Sequence, residues 1–185
     1  MLGERFFSVL DAARAGDEWA FAQLYRDLNA PLLRYFAAQA PLQAEDLASE
    51  TWLGAARGLG SFDGDEAAFR AWLFTIAHRR LVQHWRSVGR NPAMPVVPGT
   101  FDHILSEADT EREAMESMDP MTASRAIAAA LPRDQAQVVL LRILAGLSVE
   151  QVATILGKRP GTVRVLQHRA LRRLADVFSR ETVTQ

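Results

Sequence analysis

The 185 residues are 49% hydrophobic and 23% charged, enough for one medium domain or two small ones. With no cysteine, the chain excludes disulfides, thiolate zinc sites and thiol redox chemistry of its own. No apolar run reaches the roughly 20 residues that span a bilayer, and the first residues lack a charged-then-apolar leader, so a soluble, cytoplasmic protein without membrane insertion is expected.

The net charge of −1 hides an uneven distribution. Residues 1–90 carry 10 basic and 11 acidic groups, residues 101–119 one and seven, and residues 120–185 ten and four. A basic C-terminal part behind an acidic segment points to a polyanionic partner for that part alone.

Nearly the whole chain reads as helix, because its valines and isoleucines recur at helical spacing and no segment alternates at period two. Helices are expected over 4–14, 18–38 with a break at Pro31, 43–58, 67–88, 121–130, 133–145, 148–156 and 160–178. Between residues 90 and 120, Pro92, Pro95 and Pro98 bar a helix and predict an extended connection. The expected fold is therefore all-α: two small helical domains, 1–89 and 121–185, joined by a flexible linker over 90–120.

In the first domain, Phe21, Leu24, Tyr25, Leu28, Leu32 and Leu33 sit at core spacing and predict plain bundle packing. Asp46, Ser49, Glu50, Leu53 and Arg57 share one face of the third helix, which by itself reads as solvated surface. The loop from Gly60 to Asp65, including Ser61, Phe62 and Asp63, is polar and glycine-rich enough to accommodate an unstacked base.

The helix after that loop carries an apolar stripe of Phe69, Trp72, Leu73 and Ile76 that continues into Arg80, Gln83 and Ser87. From Arg70 to Arg90 there are five arginines and two histidines and no acid, with Trp72, Phe74 and Trp85 among them. Cations that track phosphates beside rings that stack on bases suit single-stranded nucleic acid, although Trp72 also reads as core. His78 and His84 lie six apart and share no helix face, so no metal site is expected.

The second domain spells out a helix-turn-helix. Pro132 opens a helix rich in Val138, Val139, Leu140, Leu141, Ile143 and Leu144, and Gly146 ends it as a left-handed cap. Ser148 and Gln151 form a capping box for the next helix, Gly157-Lys158-Arg159 turns, and Pro160 starts the last. On that last helix Val163, Leu166, Ala170 and Leu174 face the core. Gly161, Val165, His168 and Arg172 occupy the other side, flanked by Thr162, Arg164 and Arg169. A basic helix after a tight turn is the docking element of helix-turn-helix DNA readers, and a solvated arginine face on a plain three-helix bundle is the alternative.

Taken in order, several stretches resemble the extracytoplasmic function (ECF) sigma factors of bacteria. They are Phe21–Arg26, Ala44–Thr51, Phe69–Ala77, Leu131-Pro132, Gly146–Ala153, Gly161–Arg164 and His168–Ala170. The resemblance covers about 5–89 and 121–175. It implies a protein that binds core RNA polymerase and directs initiation at its promoters, with no cofactor and no catalytic group.

By that resemblance, Asp46, Ser49, Glu50, Leu53 and Arg57 would grip the β′ clamp helices. Ser61, Phe62, Asp63, Arg70, Trp72, His78, Arg79, Arg80, Gln83 and Arg86 would open and hold the minus-ten element. Arg159, Pro160, Gly161, Thr162, Arg164, Val165, His168, Arg169 and Arg172 would read the minus-thirty-five element, near the polymerase β flap. The acidic linker would mimic nucleic acid in a basic polymerase channel, and an anti-sigma factor is an implied partner.

Two departures stand out. Ser49 replaces a common glutamine, and Arg159-Pro160 precedes the glycine where the family often has a small polar or acidic residue. They imply a weaker polymerase contact and a distinct promoter preference. The rival reading is a one-component or response-regulator helix-turn-helix factor with a sensory N-terminal part. A small all-α enzyme is the third reading, and no catalytic constellation in the sequence supports it.

Overall fold

The computed structural model describes residues 2–89 and 119–181, and every regular element among them is helical. The helices are α1 Phe6–Arg14, α2 Glu18–Ala37, α3 Ala44–Gly58 and α4 Glu66–Gly89, then α5 Pro120–Ala130, α6 Arg133–Ile143, α7 Val149–Leu156 and α8 Pro160–Glu181. Short 3-10 turns at Gly3–Arg5, Pro41–Gln43 and Leu59–Ser61 lead into or out of them. The expected linker lies outside the described residues from 90 to 118, and with it Arg90 and the role expected of the acids.

Three of the helices, α2, α4 and α7, begin where a side chain satisfies free amides. Asp17 accepts from the Ala20 amide at 3.0 Å and starts α2; Asp65 does the same for Ala68 at 2.7 Å and starts α4. Ser148 and Gln151 complete the reciprocal capping box of α7, at 3.1 and 2.8 Å. Gly146 (φ 61°) and Gly157 (φ 62°) hold the left-handed backbone that the two turns of the helix-turn-helix need.

Pro31 does not break α2, contrary to the sequence expectation. It removes one amide donor, yet Leu28, Leu32, Tyr35 and Phe36 on both sides of it are all buried, and that shared burial holds the two halves in line.

The N-terminal unit packs α1 on α2, α2 on α3 and α3 on α4 around Tyr35, Phe36, Phe74, Leu24, Leu32, Leu73 and Leu81. In the C-terminal unit, α8 rests on α6 and α7 through Val163, Ala170 and Leu174. The buried cluster does not stop at the boundary. Val138, Leu140, Leu141, Leu147 and Val152 join the N-terminal core, with α5 lying against α2 and α7 against α4.

Candidate nucleic-acid and polymerase interface

The helix-turn-helix is assembled as the sequence predicted. Gly157 turns the chain between α7 and α8, and Lys158 pins that turn to α6 by donating to Asp134 at 3.0 Å. Arg142 on α6 donates to Gln167 on α8 at 3.3 Å and also to the Leu147 carbonyl, tying all three elements together. All nine residues expected to face DNA, from Arg159 and Pro160 through Gly161, Thr162, Arg164, Val165, His168, Arg169 and Arg172, are exposed. Among them Arg164 has a defined partner, Glu150 of α7, at 2.9 Å. The outward side of α8 is thus a short-chain entry at Gly161 and Thr162 followed by cations, the arrangement that allows close approach to a groove.

The N-terminal candidates divide. Arg79, Gln83 and Arg86 are exposed at i, i+4 and i+7 on α4, so two guanidinium groups and an amide line one stripe. Ser61 and Asp63 are exposed on the preceding turn, where the Ser61 hydroxyl donates to the Gly58 carbonyl at 2.9 Å.

Four others turn inward. Phe62 is buried, its ring 5.4 Å from Phe69 and 5.1 Å from Trp72, and its carbonyl accepts from the Arg14 guanidinium. The loop is therefore a pinned turn closed by an aromatic plug, and the ring of Phe62 is not available to a base. Trp72 is half-buried in the same stack, consistent with the core alternative. Arg70 lies between α4 and α2, 3.7 Å from Asp27, with its Nε buried.

His78 points at Tyr35, with its Nδ1 3.2 Å from the phenol oxygen. Burial holds its pKa below the ordinary histidine value of about 6.5, so it is a neutral ring at pH 7 and no phosphate-binding cation.

The cause of these inversions is the breadth of the buried face of α4. Its core residues are Phe69, Leu73, Phe74, Ala77 and Leu81, so burial continues a turn and a half beyond the stripe expected from the sequence. Apolar neighbours lie on two sides, α3 on one and α2 with the C-terminal unit on the other. Phe74 is fully buried and Trp85 half-buried, which leaves the exposed arginines without exposed rings interleaved among them.

On α3 the expected face is intact. Asp46, Ser49, Glu50, Leu53 and Arg57 are all exposed, and Leu53 is 57% exposed between the charges. Glu50 is 3.5 Å from Arg80, so an acid of this face and a cation of α4 neutralise each other in the absence of partners. Tyr25, expected in the core, is 41% exposed and leans on Trp52 at a ring separation of 5.1 Å.

The two units meet on α2, against α5, and on α4. The Arg133 guanidinium sits 4.4 Å from the ring centre of Trp85, the Gln151 side chain donates to the Ala67 carbonyl at 3.3 Å, and Gly146 passes beside Arg70. Replacing Arg133 with alanine is expected to uncover Trp85 and shift tryptophan emission to longer wavelength. The loss of about 0.5–1 kcal/mol of cation–π attraction would also loosen the contact. Unchanged emission would contradict this contact in solution.

Residues 20–91 match the family model described as Sigma-70 region 2, and residues 125–174 the model described as Sigma-70, region 4. The chain is 33% identical over 184 residues to the ECF RNA polymerase sigma factor SigD of Mycobacterium tuberculosis, covering 95% of this chain and 85% of the relative. This chain is an ECF RNA polymerase sigma factor.

Against the ECF RNA polymerase sigma factor BldN of Streptomyces coelicolor, identity is 34% over 179 residues, covering 94% of this chain and 66% of that longer protein. Two solved structures share the fold. CnrH in complex with the cytosolic domain of CnrY has a TM-score of 0.61 at 20% identity, covering 92% of this chain and 95% of that one. The sigma factor RpoE in complex with the anti-sigma factor NepR from Bartonella quintana has 0.59 at 22%, covering 88% and 99%.

As a sigma factor, the chain directs promoter-specific transcription by RNA polymerase, and the rival sensory regulator is not favoured because region 2 occupies the place of a sensor. The family acts by binding polymerase and DNA and is not a class of conventional enzymes. Among the described residues no helix is long and apolar enough to cross a membrane. Two residues that contact α8 side chains escaped the sequence analysis, Glu150 and Arg142. The only sequence signal for Glu150 was its place beside the capping box, and its partner lies 14 residues away.

Proposed function

We propose that this sigma factor divides its work between its two units. Residues 1–89 dock on core polymerase through Asp46, Ser49, Glu50, Leu53 and Arg57. The same unit engages the minus-ten element through Ser61, Asp63, Arg79, Gln83 and Arg86, with Arg80 released from Glu50 once polymerase takes that acid. Residues 121–185 read the minus-thirty-five element along α8. The observation that carries the reading is the uniform exposure of all nine α8 and turn residues over a buried apolar face.

Neither unit needs to bind DNA tightly by itself, because polymerase holds both at a fixed separation and makes two weak contacts act together. The chain then works in the bacterial cytoplasm, where polymerase and chromosome are. One of the solved structures named above pairs a sigma factor with an anti-sigma factor, and we extend such a partner to this chain by analogy.

The test is transcription by sigma-free core polymerase supplied with the full chain and a promoter library randomised across both elements. Selection of two spaced motifs is the expected result. Replacing Arg164 with alanine should weaken use of the upstream motif by about 5- to 150-fold, the value of one bidentate base contact at roughly 1–3 kcal/mol. Core binding should be unchanged. Loss of polymerase binding in that variant would contradict the division of labour.

A further inference from the structure

On the DNA-facing side of the helix-turn-helix, one carboxylate stands among the cations. Glu150 is the second residue of α7, and its Oε1 accepts from Nη2 of Arg164 at 2.9 Å. Both side chains are about three-fifths exposed, so the pair is a poor stabiliser of the fold. Toward DNA, the acid is a liability, because it repels phosphates beside the groove that α8 enters. An ion pair that contributes little to stability and opposes raw affinity has a different physical use here: it restrains a flexible guanidinium.

The mounting of Glu150 supports that use. The capping box fixes the backbone that carries it, with Ser148 and Gln151 bonded in both directions. Arg142, clamped to Gln167 and the Leu147 carbonyl, supplies a second positive charge near the carboxylate. Arg164 sits one turn into α8, where a side chain reaches base edges rather than the flanking backbone. Reading a guanine with two parallel hydrogen bonds requires the planar fork of an arginine in one orientation. Glu150 occupies Nη2 of the fork, while the Arg164 side chain stays 62% exposed.

We propose that Glu150 is a positioning residue that orients Arg164 for a single base pair of the upstream promoter element, exchanging overall affinity for base discrimination. The inference rests on the reading of α8 as the upstream-element helix.

The experiment compares wild type, Glu150→Gln, Glu150→Asp, Arg164→Ala and the double variant Glu150→Gln/Arg164→Ala. Each is supplied as full chain to sigma-free core polymerase on the library randomised across both elements, and the transcripts are sequenced. In Glu150→Gln, preference at one upstream base pair should fall at least fivefold, while preferences elsewhere hold and retention on unselected DNA at low salt rises or stays level. Glu150→Asp keeps the charge but shortens the reach, so it should relax the same base pair. In the Arg164→Ala background, Glu150→Gln should change nothing further.

Identical preferences in wild type and Glu150→Gln would overturn the proposal, as would a uniform loss at every position. A wild type that selects a downstream motif and no upstream one would instead overturn the reading of α8 itself, and the proposal with it. Thermal melts of the variants separate these outcomes from misfolding, since both replacements of Glu150 keep a side-chain oxygen that can accept from Ser148 and the first amides of α7.

Discussion

Replacing Leu53 with aspartate is expected to lower affinity for core polymerase by roughly 30- to 800-fold, the span of a hot-spot loss of about 2–4 kcal/mol. The side chain is 57% exposed on α3 and flanked by Asp46, Ser49, Glu50 and Arg57, so in the free protein the substitution touches no core. In the assembled holoenzyme it would place an unpaired carboxylate at the apolar centre of the contact, where desolvation is costly. The melting temperature should therefore hold while assembly fails, as measured by competition for core polymerase. Retained assembly within about threefold of wild type would move the docking centre away from α3.

Phe74→Ala should have the largest effect on stability, about 3–5 kcal/mol. The ring is fully buried between α4 and α2 and meets Tyr35 edge-on at 5.6 Å. Tyr35 in turn reaches His78, and burial pushes its hydroxyl well above the ordinary phenol range. A cavity here strips contacts from several elements at once. All four tryptophans, Trp19, Trp52, Trp72 and Trp85, lie in the N-terminal unit, so their fluorescence follows its unfolding directly. With a urea slope of about 2 kcal/mol/M, the midpoint should fall by roughly 1.5–2.5 M. A change below about 0.5 M would mean that the site collapses around the missing ring.

The helix-turn-helix was legible residue by residue because its determinants are local. Ser148 and Gln151 are one turn apart, Gly146 and Gly157 each hold a backbone conformation that other residues resist, and Val163, Ala170 and Leu174 follow the helical period. The exposed face of α3 was legible for the same reason, as a single periodic stripe. Arg70 and His78 were misplaced because an amphipathic pattern states that a helix has a buried side but not how wide its neighbours make that side, and Phe62 because a loop residue's burial against Phe69 and Trp72 leaves no periodic signal. Pro31 was misjudged because local strain competes with burial supplied by residues on other helices.

The sequence alone therefore determined the all-α class, the helix boundaries to within a few residues, the basic character of α8 and the family to which the chain belongs. The tertiary structure decided which arginines remain at the surface, that Phe62 plugs its loop, that the two units share a buried cluster along α4, and that Glu150 engages Arg164. Each of these depends on partners far apart in the chain, whose meeting is set by the packing of whole helices. The pattern along one helix carries no record of it.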